Sequence, residues 1–354
     1  MPWQRFLRWP VRQCCVAITA TSAIAEWERN YGQQLVATLG VANGKTPSAS
    51  TLHWIFRHLD CAQFETHLGR WVAQVLASQP PTPEWAEGSA IDGKTLRGSQ
   101  KLGAPEAHLL SAFSHRLGIT LAQQAVADKS NELFQIEDVL EALVRTGRIV
   151  TTDALHTQRY VAQTILDGDG DYVMLVKGNQ PDRLADIQLL FQERHVIAET
   201  LTATETVDAG HGRIEVRRLT ASRALADYLA WPGLQQVFES AGTVTVKRTG
   251  RERREVVYGI TSLPPQRANA AHLLSLVRQH WSIENKSHWV RDVTYDEDRS
   301  QVRCGSIPQT MAALRNLVLG LMRIAGETNI AVACRRCAAQ PWAALALIGI
   351  PSEN

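Results

Sequence analysis

Two short β-prone runs, each ending in one aspartate, constrain the fold of this chain more than any other feature. Residues 89–96 read SAIDGKTL and residues 148–155 read RIVTTDAL. Between them lie HLLSAFSH and ITLAQQAVA, joined through Leu117-Gly118, and the amphipathic stretch ELFQIEDVLEALVR. After them come TQRYVAQTILDG and DYVMLVKG. Runs of β-branched and alternating apolar residues mark strands, and apolar residues three and four apart mark helices. The predicted order is therefore β-β-β-α-β-α-β, an α/β chain with a mixed sheet that helices must cover. In that order the strands ending at Asp92 and Asp153 can be neighbours.

That strand order is ribonuclease-H-like, and the rest of the chain extends it. Residues 1–85 read as a helical domain, in which two short helices with a tight joint suit either a DNA-reading helix-turn-helix or a packed helical hairpin. In it, PSASTLHWIFRHL opens on residues suited to a helix start, and Phe64, Leu68, Val72, Val75 and Leu76 form one apolar stripe. Residues 86–195 hold the first part of the core and close on the helix PDRLADIQLLFQERH. Residues 196–268 read as a β-rich insertion of two hairpins, one turning at AGHG and the other at Thr249-Gly250. Residues 269–354 return to the core through NAAHLLSLVRQHWSIENKSHWVRDV and end in an apolar helical tail. On a 3.6-residue period Val277, His280, Glu284, His288 and Arg291 fall on one helical face.

Composition narrows the functional classes. With 354 residues, 45% of them hydrophobic and 20% charged, the chain can build a sizeable core and is not a disordered one. A net charge of +2 does not by itself announce nucleic acid, so local clusters matter more: RIEVRR at 213–218 and KRTGRERR at 247–254. No run of about 18 apolar residues exists to span a membrane. Arg5, Arg8 and Arg12 before an apolar run imitate a secretion signal, but that run flows into further helix-like sequence, and a cytoplasmic, nucleoid-associated protein is expected. Cys334 and Cys337 form a lone CxxC without the second ligand pair that a structural zinc needs. LGVANGKTP at 39–47 falls one residue short of a nucleotide-binding loop. AIDGKTL lacks the nucleophile of an aspartyl phosphatase, because Ala90 stands in its place.

The chemistry-bearing residues are the acids. Asp92 and Asp153 at strand ends, with Glu284 on the returning helix, suit two divalent ions and a phosphodiester substrate, since carboxylate oxygens are hard ligands for Mg²⁺. Asp292, Glu297 and Asp298 are rivals for the third ligand.

IDGKTLRGS, HLLSAFSHRLG, DKSNE, VTTDALHTQ, DYVMLVKGNQP, HGRIEVR, ITSL and HWSIENKSHWVRDVTYDEDRSQVR occur here in that order. Together they resemble the H-repeat-associated group of bacterial insertion-sequence transposases, of the DDE cut-and-paste type. The resemblance runs from about Ala23 to Gly320. It implies a DNA transposase with Asp92, Asp153 and Glu284 as catalytic and metal-binding triad, Mg²⁺ as cofactor and Mn²⁺ as substitute. It further implies element ends and target DNA as partners, a homodimer in the end-paired complex, and no membrane. A decayed relative that binds DNA without catalysis is the alternative. The signature Y-x2-R-x3-E-x6-K of related transposases, set on Glu284, falls on Val277, His280 and Arg291. The expected DNA contacts are Lys94, Arg97, Lys177, Asn179, Gln180, His280, Arg291, Arg213, Arg217 and Arg251, with Arg218, Arg253 and Arg254 beside them. Residues 1–22 do not match the DPR-containing start usual in the group, so weak sequence-specific end binding is expected.

Overall fold

The computed structural model describes residues 25–26, 29–30, 45–80, 87–100, 106–126, 136–137, 139–140, 148–195 and 198–350. Residues 1–22, most of the 39–47 loop, the DKSNE motif and most of the helix expected at 132–145 lie outside the described residues. Nine strands form one mixed sheet: β1 (Gly88–Leu96), β2 (Ala107–Ser114), β3 (Thr120–Val126), β4 (Ile149–Thr152), β5 (Asp171–Val176), β6 (Leu201–Gly210), β7 (Arg213–Ser222), β8 (Gln236–Val246) and β9 (Glu252–Thr261). Their order is β3-β2-β1-β4-β5-β9-β8-β7-β6. The first five reproduce the ribonuclease-H-like order predicted from the sequence. The chain divides into two compact units, and β1 passes from one to the other at Asp92.

One unit comprises residues 81–92 and 136–282. Here the first half of β1 runs parallel to β4, and β4 parallel to β5. Between β4 and β5 lies α3 (Arg159–Asp167), and after β5 comes α4 (Pro181–Gln192). The hairpins of the insertion attach to β5 through β9, which pairs with it antiparallel, so they lengthen the core sheet. His211 (φ 47°) and Gly212 (φ 74°) form the two-residue turn between β6 and β7, a left-handed geometry that glycine adopts at no steric cost. Gly259 lets β9 pass close to its neighbours: a Cβ there would stand 2.7 Å from the Met174 carbonyl oxygen. The last helix of the unit, α5 (Ala270–His280), is capped by Asn269, whose Oδ1 accepts from the His272 N–H at 2.9 Å. Its buried face, with Leu273, Leu274 and Val277, packs against Ile149, Val173, Leu219 and Phe238 of the sheet.

The other unit comprises residues 1–80, 93–135 and 283–354. Its helices α1 (Ala49–His58) and α2 (Cys61–Ala77) are capped by Ser48 and Asp60, as short polar side chains at such breaks favour. Leu52, Phe56 and Phe64 are buried with Met311, Leu314 and Val318 of the long helix α7 (Ile307–Ile324). The β2–β3 hairpin turns at Gly118 (φ 67°), with the Leu117 N–H donating to Ser114 Oγ at 3.1 Å. Beyond α7, α8 (Ile330–Ala339) and α9 (Pro341–Leu347) complete the apolar cluster with Ala333 and Ala344. Cys334 and Cys337 are buried free thiols in it, and burial pushes both upward in pKa, so they behave as small apolar groups. No helix among the described residues is long and apolar enough to cross a membrane.

Candidate functional site

In the first unit the parallel register of β1 on β4 pairs Ile91 with Thr152. Asp92 and Asp153 are the next residue on each chain, so two carboxylates emerge from adjacent parallel strands at the same level. Thr151, one step back on β4, is buried, and its hydroxyl is 3.0 Å from His280 Nδ1. Burial depresses the His280 ring to about 4 despite the nearby Asp153, so it is neutral at physiological pH. The Asp153 carboxylate turns into its own loop: Oδ1 accepts from the Leu155 N–H at 3.0 Å and lies 3.2 Å from His156 Nδ1. Burial alone would raise its pKa. The hydrogen bonds and charge of His156, with the charge of His280, outweigh that and hold it below the ordinary value.

The second unit carries Glu284, and the local helix there differs from the expected one. The chain forms a π turn over Glu284–His288 before α6 (Trp289–Val293). A π turn advances each residue by less than the 100° of an α-helix, so the 3.6-residue face predicted from Val277 to Arg291 is broken. Glu284 is exposed, whereas His288 and Arg291 are buried. Arg291 gives its guanidinium to Glu297, at 2.8 Å from Nε and 2.7 Å from Nη2. Arg315 of α7 donates to the other Glu297 oxygen at 2.7 Å. Burial would push the Glu297 carboxyl up, but Arg291, Arg315 and Lys94 hold it at about 2. Lys94 is buried and donates to both Asp292 oxygens, at 2.6 and 2.7 Å. Two of the rival third ligands, Asp292 and Glu297, are thus committed to internal ion pairs. Asp298 lies 3.9 Å from the exposed Arg97. Gly98 sits where backbone meets backbone, because a Cβ there would stand 2.6 Å from the Ser300 carbonyl oxygen and 2.7 Å from that of Glu297.

The expected DNA contacts divide accordingly. His280, Arg291 and Lys94 are buried, and each is engaged by a protein partner: His280 by Thr151, Arg291 by Glu297 and Lys94 by Asp292. Arg97, Lys177, Arg213, Arg218, Arg251, Arg253 and Arg254 are exposed. Arg217 is half-buried and shared between Glu215 and Asp208, 3.4 Å from the latter. Asn179 is exposed and Gln180 half-buried, yet both amides bond the loop after β4: Asn179 Nδ2 donates to the Ala154 carbonyl at 2.6 Å and Gln180 Nε2 to that of Thr157 at 3.0 Å. Sequence reasoning missed the Arg291–Glu297–Arg315 cluster, although the crowding of charge in WVRDVTYDEDR was its signal.

The donor chemistry of Asp92, within β1, and Asp153, just past the end of β4, suits a hard divalent cation, since both groups are carboxylates and one is held ionised. Among the described residues no group of three or more His, Cys, Asp or Glu side chains is close enough to form a complete metal site.

Residues 86–321 match the model of the transposase DDE domain family. The chain belongs to that family. Within it, this transposase is 29% identical over 311 residues to the protein named "Putative transposase YncI" of Escherichia coli O157:H7, covering 84% of this chain and 74% of that one. It is 31% identical over 247 residues to "H repeat-associated putative transposase YhhI" of Escherichia coli, covering 66% of this chain and 63% of that one. An uncharacterized protein from the dhlA 3′ region of Xanthobacter autotrophicus is 35% identical over 218 residues, covering 60% of this chain and 72% of that protein. These relatives place the transposase in the H-repeat-associated group. A piggyBac transposase synaptic complex with hairpin DNA superposes with a TM-score of 0.41 at 9% identity, covering 99% of this chain and 76% of that one.

Proposed function

We propose that this transposase cuts phosphodiesters at the ends of an insertion sequence and joins the resulting 3′-hydroxyls to target DNA. Asp92, Asp153 and Glu284 would hold two Mg²⁺ ions, with Mn²⁺ as substitute. Bound there, the ions would lower the pKa of the attacking water or 3′-hydroxyl and take up charge on the leaving oxygen. The observation that carries the reading is the level pair of Asp92 and Asp153 on adjacent parallel strands, inside the stretch that matches the family. Asp153 stays ionised because its loop donates hydrogen bonds to it, and the β1–β4 ladder fixes the spacing of the two backbones. Glu284 enters from the resemblance, supported by the internal engagement of Asp292 and Glu297.

The exposed arginines of the β6–β9 hairpins, with Lys177 and Arg97, would meet phosphates of the element ends and target. Phosphate contacts position DNA without reading sequence. Pairing two ends calls for a homodimer. The decisive test is substitution of each acid by its amide in the full chain. Asp92→Asn, Asp153→Asn and Glu284→Gln should each abolish cleavage and joining of end DNA while leaving DNA affinity in EDTA within about twofold. Full cleavage by Glu284→Gln would hand the third position to another acid. A parent chain that binds DNA but never cleaves in Mg²⁺ or Mn²⁺ would instead support the non-catalytic alternative.

A further inference from the structure

The GNQ stretch after β5 was expected to touch phosphate, yet its two amides point at the loop that carries Asp153. Asn179 Nδ2 donates to the Ala154 carbonyl at 2.6 Å and Gln180 Nε2 to the Thr157 carbonyl at 3.0 Å. Thr157 is fully buried, and its hydroxyl stands 2.5 Å from the Leu175 carbonyl on β5 and 3.1 Å from that of Asp153. Residues 154–157 are thereby tied at both ends to β5 and the turn that follows it. The same loop supplies the Leu155 N–H and the His156 ring that hold Asp153 Oδ1. All four of these side-chain ties end on backbone carbonyls, which substitution elsewhere in the loop does not remove.

We infer that Asn179 and Gln180 are positioning residues for a divalent cation at Asp153: they hold the ALHT loop so that the Asp153 carboxylate keeps the orientation in which it binds metal. The inference rests on the reading of Asp153 as a metal ligand. Lys177, exposed on the same turn, has no such tie among the contacts of the loop and keeps the role of a phosphate contact.

The two roles separate in one experiment on the full chain. Mn²⁺ binding is titrated without DNA by electron paramagnetic resonance, and end-DNA affinity is measured in EDTA across a salt series. Asn179→Leu and Gln180→Met keep side-chain volume and remove the donor. Each should weaken Mn²⁺ binding by about tenfold or more, the usual effect of losing a group that orients a metal ligand. Their DNA affinity and salt slope should match the parent. Lys177→Ala should do the reverse, lowering the salt slope by about one unit with Mn²⁺ binding intact. Asp153→Asn is the reference. If it leaves Mn²⁺ binding unchanged, the ligand reading fails and takes the inference with it. If it abolishes binding while Asn179→Leu and Gln180→Met bind Mn²⁺ like the parent, the inference alone is overturned. A salt slope lowered by Asn179→Leu, with Mn²⁺ affinity kept, would make Asn179 a phosphate contact. Thermal unfolding of each variant guards against global loss of fold, and either amide alone is sufficient for the test.

Discussion

Glu297 shows what one buried carboxylate demands of its neighbours. It is almost wholly inaccessible and serves two arginines that are equally so. Removing one member of a buried ion cluster strands the remaining charge in a medium that solvates it poorly, at a cost of about 3–5 kcal/mol. Glu297→Gln should therefore lower stability by about that amount in urea unfolding, and a loss under about 1 kcal/mol would mean the arginines find other partners. His288 gives a pH dependence of definite sign. Burial first, then the charges of Arg291 and Lys94, depress its ring from 6.5 to about 3. The folded state therefore resists a proton that the unfolded chain accepts. Full stability is present above about pH 6.5 and falls as the pH drops towards 3, by about 2 kcal/mol between 6.5 and 5. Replacing the ring with Leu should flatten the urea midpoint over that window. An equally steep fall in His288→Leu would assign the effect to other groups. The Glu297 cluster was not legible as such: the sequence offered Arg291 as a DNA contact and Glu297 as a rival for the third metal ligand, because charge in a motif does not reveal whether it faces solvent or another buried charge.

Strands and helices were the better-read level. The runs ending at Asp92 and Asp153 announced themselves through β-branched residues, and glycine at the hairpin turns fixed where β6 gives way to β7. The helix of Glu284 was misread in its face, since a π turn has the same residues as an α turn and only its hydrogen bonds differ. The insertion was read as two hairpins, but pairing of β9 on β5 is a long-range contact that no local pattern signals. These hairpins carry a prediction of graded effect. Arg251 is exposed, while Arg217 already satisfies Glu215 and Asp208. Arg251→Ala should lower the salt slope of DNA binding by about one unit, and Arg217→Ala by clearly less. Equal slopes for both variants would show that the internal ion pairs of Arg217 open on DNA.

For the chain as a whole, a net charge of +2 conceals local contrasts: among the described residues Glu297 is buried between two arginines, while Arg213, Arg218, Arg251, Arg253 and Arg254 are exposed on the hairpins. The buried clusters that hold the described elements of each unit together are built mainly of apolar side chains rather than of hard-cation ligands. Chelation by EDTA should therefore stop strand cleavage and shift the thermal unfolding midpoint by less than about 2 °C, in contrast to small domains whose metal supplies the folding energy. A large drop in the midpoint would make the ion structural as well as catalytic.

Gly98 carries this to the gene. Every missense change at its codon adds at least a Cβ, and the space that atom would fill is already held by the carbonyl oxygens of Ser300 and Glu297. Backbone cannot yield there as a flexible side chain could. Among copies of an element that accumulate errors, codon 98 therefore keeps a record: glycine persists for as long as selection acts on the folded protein, and its loss dates the point at which a copy became a passenger.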